Sequence, residues 1–428
     1  MAMVPEDGGT IAAFDARPSA TARGGTYFEE GDFLLARITP CFENGKQGIV
    51  RGVPGGWGLG STELFAMRSE VVSSDYLAQL FRSASVRAQL RTEMQGASGR
   101  MRLPRRAVEN LVVAIPPLDE QGRITEDLDR LFALIDAGER ALGEAAKLVD
   151  SYVRSLLVAG LSGRLTAASA SGGDGLLEDI LRTRETAARA IGARVQVPRP
   201  PVRVPDLELP AGWTWASIDQ LALKVQYGTS AKTHGYGEDG DVPVLRMGNV
   251  NGGRINWGSL KYLPADHEGV SAVLLNEGDI LFNRTNSADL VGKTALVEEL
   301  PGRVAFASYL IRVVLHPSVE PAWVNYWLNS PFGRHWARAN ANQQVGQANI
   351  SGSKLRELAI PLPPSDCQRA ICRALQDRIG EAHLMRQQLA LSVAESQQLR
   401  QAALQRLLTG AQRSDRSVPA PRREPVYA

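Results

Sequence analysis

Glu277-Gly278-Asp279-Ile280-Leu281-Phe282 decides how this chain is read, because Glu30-Gly31-Asp32-Phe33-Leu34-Leu35 stands 247 positions before it. The same shift places Arg37 on Arg284, Gly45-Lys46 on Gly292-Lys293, Ser61 on Ser308, Ser83 on Ser330 and Arg87 on Arg334. Farther along it places Gly99 on Gly346, Leu111 on Leu358, Pro116-Pro117 on Pro363-Pro364, Asp119 on Asp366, Gln121 on Gln368 and Ile124 on Ile371. Leu161 and Gly163 close the series on Leu408 and Gly410, and no gap is needed. Chance does not hold one offset over that length. The period far exceeds that of stacked solenoid repeats, so the chain contains a duplicated module.

Each copy has two parts. The first mixes short apolar runs of strand type, such as Phe33-Leu34-Leu35 and Ile311-Arg312-Val313-Val314-Leu315, with Gly, Asn and Asp turns. It also holds a helix-like stretch, 76–90, matched by 323–337. The second part starts after the diproline and reads as one long helix. Ile124, Leu128, Leu131, Ile135, Gly138, Leu142, Ala145, Val149, Tyr152 and Leu156 alternate by four and three, which is a heptad seam. The other copy is rougher: Ile371, Leu375, Ile379, Ala382, Met385, Leu389, Val393, Leu399 and Ala403. The prolines stop a helix from running backwards, Asp119 and Asp366 can cap the new one, and Gly163 and Gly410 end it. About 45 residues at roughly 1.5 Å each give a rod of about 65 Å. So narrow a stripe cannot bury itself on an isolated helix, and the two helices are expected to pack on each other.

The expected fold class is α+β: two globular mixed α/β domains related by internal duplication, separated by two long helices packed as an antiparallel coiled coil. The expected boundaries are 1–118 for the first domain, 119–164 for the first helix and 165–206 for a connector. The second domain covers 207–365, the second helix 366–411, and a disordered polar tail 412–428. The connector is Ala/Ser/Gly-rich, then helical in pattern over 176–194, then Pro-rich.

The 428 residues are 44% apolar and 22% charged, an ordinary globular composition. No apolar run is long enough to cross a bilayer, the first residues lack a secretory pattern, and Cys41, Cys367 and Cys372 make no disulfide framework. A reducing cytoplasm, with no membrane partner, is the expected setting. The net charge of +2 announces no polyanion, but its distribution is uneven. Seven arginines fall between Arg82 and Arg106 against Glu93 alone, and no acid stands between Ser330 and Arg356. Such stretches can neutralise phosphates, and they can equally be solvated helix faces.

Catalytic motifs fail one by one. Gly292-Lys293-Thr294 ends like a phosphate-binding loop, yet Ser287 stands where the opening glycine belongs. His234, His267, His316, His335 and His383 show no metal-ligand spacing. Neither diproline sits in an amino-methyltransferase tetrapeptide, and no glycine fingerprint opens a strand–helix unit.

Leu209-Pro210-Ala211-Gly212-Trp213 opens the second domain, followed by Glu277 to Phe282, Gly292-Lys293-Thr294 and Ile360-Pro361-Leu362-Pro363-Pro364, and the first copy shows Phe28 to Asp32, Ile38 to Lys46, Gly60-Ser61-Thr62-Glu63 and Ile115 to Gln121. In that order, across residues 4–411, they resemble the DNA-specificity subunit of type I restriction–modification enzymes. The resemblance implies that each domain is a target-recognition domain reading half of a bipartite site in double-stranded DNA, with the paired helices fixing the spacer. It implies a non-catalytic subunit that recruits two adenine-N6 methyltransferase subunits, with restriction/translocase subunits completing the complex. No cofactor is expected on this chain; S-adenosylmethionine, ATP and Mg²⁺ are expected on the partner subunits. Two readers on a stiff spacer do give a fixed separation. The alternatives are a coiled-coil adaptor for proteins and the specificity subunit of another phage-defence modification system.

The chain departs from the pattern at its start. The second copy carries a lead-in, from about Leu207 to Met247, before Asn249-Val250-Asn251-Gly252-Gly253-Arg254-Ile255, whereas Met3 to Ile11 is already equivalent to that later stretch. About 40 residues of a complete first domain are expected to be missing; a shortened chain, a misplaced start codon and a genuine truncation all fit.

Candidate DNA contacts are polar residues on loops at equivalent places in both copies. One set surrounds the glycine–lysine turn: Asn44 and Lys46, then Asn286, Ser287 and Lys293. The other precedes the diproline: Gln95, Ser98, Arg100 and Arg102, then Gln343, Gln344, Gln347, Asn349 and Ser351. Arg can grip guanine bidentately, Asn and Gln can grip adenine, and Lys positions phosphates. Turn and cap roles compete at each position.

Overall fold

The computed structural model describes residues 1–6, 8–15, 24–97, 99–165, 175–190, 197–235, 237–238, 240–344 and 346–414. They form two compact units, Met1–Ala146 with the chain from Gln387 onward, and Lys147–Arg386. The division therefore falls within both long helices.

In the first unit β1 (Thr10–Ile11), β2 (Thr26–Glu29), β3 (Phe33–Ala36), β4 (Gln47–Val50), β5 (Trp57–Gly60) and β6 (Leu64–Met67) precede α1 (Ser74–Arg82), α2 (Ala84–Thr92), α3 (Arg105–Glu109) and α4 (Leu118–Leu161). One sheet has the order β1-β4-β3-β6, and β2 pairs separately with β5. Every side chain of β3 is buried, and the two-residue period of a strand sends them to opposite faces. Phe33 and Leu35 join Tyr76, Phe81 and Leu90 of the helices, while Leu34 and Ala36 join Ile11, Phe28 and Val50.

The second unit contains α5 (Leu176–Ala190), β7 (Thr214–Ser217), α6 (Ile218–Leu221), β8 (Ala222–Tyr227), β9 (Val242–Leu245), β10 (Val250–Asn251), β11 (Gly253–Ile255) and β12 (Lys261–Leu263). It continues with β13 (Ile280–Asn283), β14 (Thr285–Asn286), β15 (Thr294–Leu296), β16 (Ala305–Phe306), β17 (Leu310–Leu315), α7 (Pro321–Asn329) and α8 (Pro331–Asn340). Then come β18 (Asn342–Gln344), β19 (Gln347–Asn349), α9 (Gly352–Arg356) and β20 (Ala359–Leu362), before α10 (Ser365–Ser414). Its main sheet runs β10-β11-β15-β13-β17-β8. The duplication is thus architectural: β1, β4, β3 and β6 recur as β11, β15, β13 and β17, and α3 recurs as α9. The first strand repeats even in pairing, because Thr10 lies beside Ile49 in parallel as Arg254 lies beside Leu296.

The long helices run antiparallel in each unit. In the first, Ser396 Oγ donates to Glu139 and Arg400 to Asp136, both at 2.5 Å, and Leu404 and Leu408 enter the core that holds Ile124, Leu128 and Ile135. In the second, Arg386 pairs with Asp150, and Gly160 backs so closely on Leu375 that an added Cβ would stand 3.0 Å from it. The heptad reading needs correction away from the heads. Gly138, Tyr152, Met385 and Leu399 are exposed, whereas Phe132, Leu404 and Leu408 are buried. Facing residues there are polar, so ion pairs and hydrogen bonds replace apolar knobs. Helix α10 also runs past Gly410, which the sequence reading makes its end; glycine inside a helix costs about 1 kcal/mol and does not stop it. Helix α4 ends at Leu161, with Gly163 at φ +72° closing against Pro210 and Trp213. Connector residues 166–174 and 191–196, and 415–428 of the expected tail, lie outside the described residues.

Candidate nucleic-acid interface

In the second unit the two candidate sets converge on one small sheet. Strand β19 lies between β14 and β18, in the order β14-β19-β18. Asn286 stands opposite Ala348, Gln343 also opposite Ala348, and Gln344 opposite Gln347. The turn between the last two holds Gly346 at φ +80°, a conformation that favours glycine. Gln343 and Gln347 are exposed; Gln343 shares its ladder position, and so its face, with buried Ala348, while alternation puts Gln347 on the other face. Asn342, missed by the sequence reading, sits in the same ladder opposite Asn349. The run Asn340-Ala341-Asn342-Gln343-Gln344 was its only signal.

Other members are committed locally. Asn349 Oδ1 accepts from Thr285 Oγ1 at 2.5 Å, Asn286 Oδ1 accepts from Ser287 N at 2.8 Å, and Ser351 Oγ caps α9 by accepting from Lys354 N at 3.2 Å. Ser287 itself is exposed at the start of the loop to Gly292.

Lys293 closes that loop: its carbonyl accepts from Asn283 N, two residues before β14. Its Nζ donates to Asn251 Oδ1 at 2.9 Å, a neutral partner. Burial, and then Arg334 nearby, hold its pKa below the usual lysine value. Arg334 is likewise lowered, by burial and then by Arg338, and spends its guanidinium on the carbonyls of Val291 and Asp289. An ammonium that lacks a carboxylate and lies beside another cation gains from an anion, and a phosphate is one.

The first unit builds a looser counterpart. Gln95 and Arg102 exchange backbone hydrogen bonds at 2.9 and 2.8 Å, which brings the two ends of this loop together. Thr39 N donates to Met101 O at 2.9 Å, so this loop lies beside the turn that carries Asn44 and Lys46. Asn44, Gln95 and Arg100 are exposed, while Lys46 Nζ reaches the Met1 carbonyl at 3.4 Å. Arg102 is already engaged: its Nε and Nη2 grip Glu63 at 2.9 and 2.7 Å. Ser98 lies outside the described residues, as does the side chain of Gln344 in the second unit. Among the described residues no cluster of His, Cys, Asp or Glu could hold a metal ion.

A duplicated two-headed scaffold, with polar loops at equivalent places on both heads, is the class of protein that fold and site define. Residues 210–391 match the family model for the type I restriction modification DNA specificity domain. Over 406 residues the chain is 25% identical to the specificity subunit of the type I restriction enzyme EcoEI of Escherichia coli, covering 83% of this chain and 68% of that one. The EcoKI specificity subunit of E. coli K12 is 22% identical over 343 residues, covering 80% and 66%. Among solved structures, the HsdS subunit from Thermoanaerobacter tengcongensis aligns with a TM-score of 0.55 at 19% identity, over 96% of this chain and 89% of that one. A chain from work on complex assembly and conformational transition of the type I R-M system aligns with a TM-score of 0.66 at 19% identity, over 91% and 85%. Residues 210–391 thus carry the type I restriction modification DNA specificity domain, and over most of its length the chain is similar to specificity subunits of type I restriction enzymes.

Proposed function

We infer that this chain is the DNA-specificity subunit of a type I restriction–modification complex and that each head reads one half of a bipartite duplex target. The observation that carries this is the repeat of one polar loop pair, glycine–lysine turn plus the loop that precedes the diproline, in both heads. The exposed amides of Gln343 and Gln347, one on each face of the hairpin, suit base edges, and Lys293 suits the backbone. Specificity lies here, while methyl transfer, translocation and cleavage lie on partner subunits together with S-adenosylmethionine, ATP and Mg²⁺. The setting is the cytoplasm, where chromosome and incoming phage DNA are both met.

Two methyltransferase subunits fit the duplication, one for each copy of the module. Exposed apolar side chains on the long helices support docking of partner helices: Leu134 and Leu391 in the first unit, Leu148 and Leu384 in the second. Isolated apolar residues on a surface are ordinary, but repeated ones on rods whose facing sides are polar point to a further layer.

Methylome sequencing of the host tests the reading. Deleting the gene removes N6-methyladenine from a bipartite motif, and the gene in trans restores it. A methylome unchanged by deletion, in cells that express the chain, overturns the reading.

A further inference from the structure

Arg284 and Arg37 are one residue of the module met twice, and each stands where the two candidate loops of its head come together. Arg284 lies between β13 and β14, and β14 leads into the glycine–lysine turn. Its carbonyl accepts from Ile350 N at 2.9 Å, one residue beyond β19. In the first head the carbonyl of Arg37, one residue beyond β3, accepts from Leu103 N at 2.7 Å, one residue beyond the loop 95–102. Leu103 stands 247 positions before Ile350, so the same hydrogen bond ties the loops together in both heads.

Both half-buried guanidinium groups lie over aromatic rings: Arg284 Cζ is 4.9 Å from the centre of Tyr227, and Arg37 Cζ is 4.8 Å from that of Phe65. The rings come from different elements, β8 and β6, so the aromatic support is present twice although the repeat does not supply it. The Arg284 side chain has one hydrogen-bond acceptor among the described residues, Ile350 O, at a long 3.5 Å from Nε; the buried Nε of Arg37 has none. Glu63, the carboxylate that feels Arg37, is gripped by Arg102. A guanidinium held on a ring, with its terminal N–H groups unspent, keeps its charge and loses little freedom on meeting an anion.

The amides suited to base edges do not repeat: Gln343 and Gln347 stand against Gly96 and Arg100. Two heads that read different half-sites share the sugar–phosphate backbone, so a cation identical in both suits phosphate. We propose, resting on the DNA-reading role inferred above, that Arg284 and Arg37 each clamp one backbone phosphate. The clamp fixes the register in which the differing loop residues meet the bases.

Complexes assembled with methyltransferase subunits are titrated, at several salt concentrations, with a duplex carrying the methylated motif and with one whose half-sites are scrambled. Arg284→Met keeps an apolar stem for Tyr227 and removes the charge. It weakens binding to both duplexes about tenfold and lowers the salt slope by about one, while the methylated motif stays the same. Arg284→Lys restores the slope, which a role in packing alone would not. Single uncharged methylphosphonates then locate the contact. One position in one half-site that costs the unmodified complex affinity costs the Arg284→Met complex nothing further, and Arg37→Met does the same in the other half-site. Melting curves check that each variant is folded, and the two heads give two separate measurements. An unchanged slope with every phosphate still sensed, or a relaxed preference at one base pair at constant slope, overturns the proposal and leaves DNA reading standing. An unmodified complex that binds neither duplex overturns both.

Discussion

Gln121 and Gln368 hold the same fully buried position in the two heads and fasten each long helix in the same way. Gln121 Oε1 accepts from Ser73 N at 2.8 Å while its Nε2 donates to Pro116 O at 2.8 Å; Gln368 accepts from Glu320 N at 2.9 Å and donates to Pro363 O at 2.8 Å. A primary amide is both donor and acceptor, so one side chain ties the first helical turn to the diproline and to the start of α1 or α7. A second repeat reinforces it: Tyr76 Oη donates to Ala114 O at 3.1 Å, and Trp323 Nε1 donates to Pro361 O at 2.7 Å. Each head is thereby joined to its helix without slack, which a spacer function requires.

Gln368→Ala leaves a buried N–H and a buried carbonyl without partners, each costing about 1–3 kcal/mol. The expected loss is about 2–4 kcal/mol of stability. Gln368→Glu loses the donor but keeps an acceptor and adds a buried charge. Urea titration followed by tryptophan fluorescence reads both, and a midpoint unchanged by Gln368→Ala contradicts the fastening role.

Asp279 and Arg312 form a buried pair, with Oδ2 and Nε 2.7 Å apart, and Asp279 also accepts from Asn276 N at 2.7 Å. Burial pushes the Asp279 carboxyl above its usual value, more than Asn276 and Arg312 pull it down. Desolvation therefore outweighs attraction here. Arg312→Met alone strands the carboxylate and costs about 3–5 kcal/mol; adding Asp279→Asn recovers most of it. A double-mutant cycle in urea measures the recovery, and its absence would show that the pair is held for its charge.

His316 makes stability depend on pH. Burial, then Arg184, lower its pKa, and its Nδ1 accepts from Ser318 N at 3.2 Å, which requires the neutral ring. A histidine whose folded pKa lies below the unfolded value contributes stability above about pH 6.5. That contribution is lost as pH falls through the folded value. Chemical denaturation between about pH 7 and about pH 5 should show this decline, flattened in His316→Asn. Equal slopes in both proteins would assign the decline to other groups.

The constant offset was enough to read two like heads and two long helices, because buried strands and prolines keep residue type tied to position. Phe33 and Ile280 are different apolar residues at the same buried place, and each Pro-Pro blocks backward growth. The polar middle of the helix pair was not legible. Arg400 meets Asp136 across the whole sequence, and a heptad reading ranks Leu399 above its neighbour. The strands β7, β8 and β9 were equally hidden, since nothing local says that Thr214–Ser217 will pair with Ala359–Leu362.

At the candidate site the loops were legible and the individual side chains were not. A polar, glycine-bearing stretch such as 342–349 announces an exposed hairpin. Whether an end group is free depends on distant partners: Glu63 takes Arg102, and Thr285 takes Asn349.

Lys293 and Gln347 separate affinity from specificity. In complexes assembled with methyltransferase subunits, Lys293→Ala should weaken binding to all duplexes alike and reduce the salt slope by about one. Gln347→Ala should leave the slope unchanged and relax preference at one base pair, by about 1–3 kcal/mol of discrimination. Doing both at once should abolish protection of the cognate duplex while the melting curve stays as it was. Intact protection in the double variant removes these loops from recognition.

If the long helices set the spacer, their length is the adjustable quantity. Inserting seven residues in each helix, after Ala146 and after Arg386, keeps the heptad phase and the facing of α4 on α10. It lengthens each by about 10 Å, roughly three base pairs of duplex. Inserting in one helix alone shifts every later pair, parting either Arg400 from Asp136 or Arg386 from Asp150, and should destabilise the chain instead. The methylated motif of the double insertion should keep both half-sites and gain about three base pairs between them. An unchanged spacer would mean that the heads find their half-sites independently of helix length, and that the rigid joint at Gln121 and Gln368 serves stability alone.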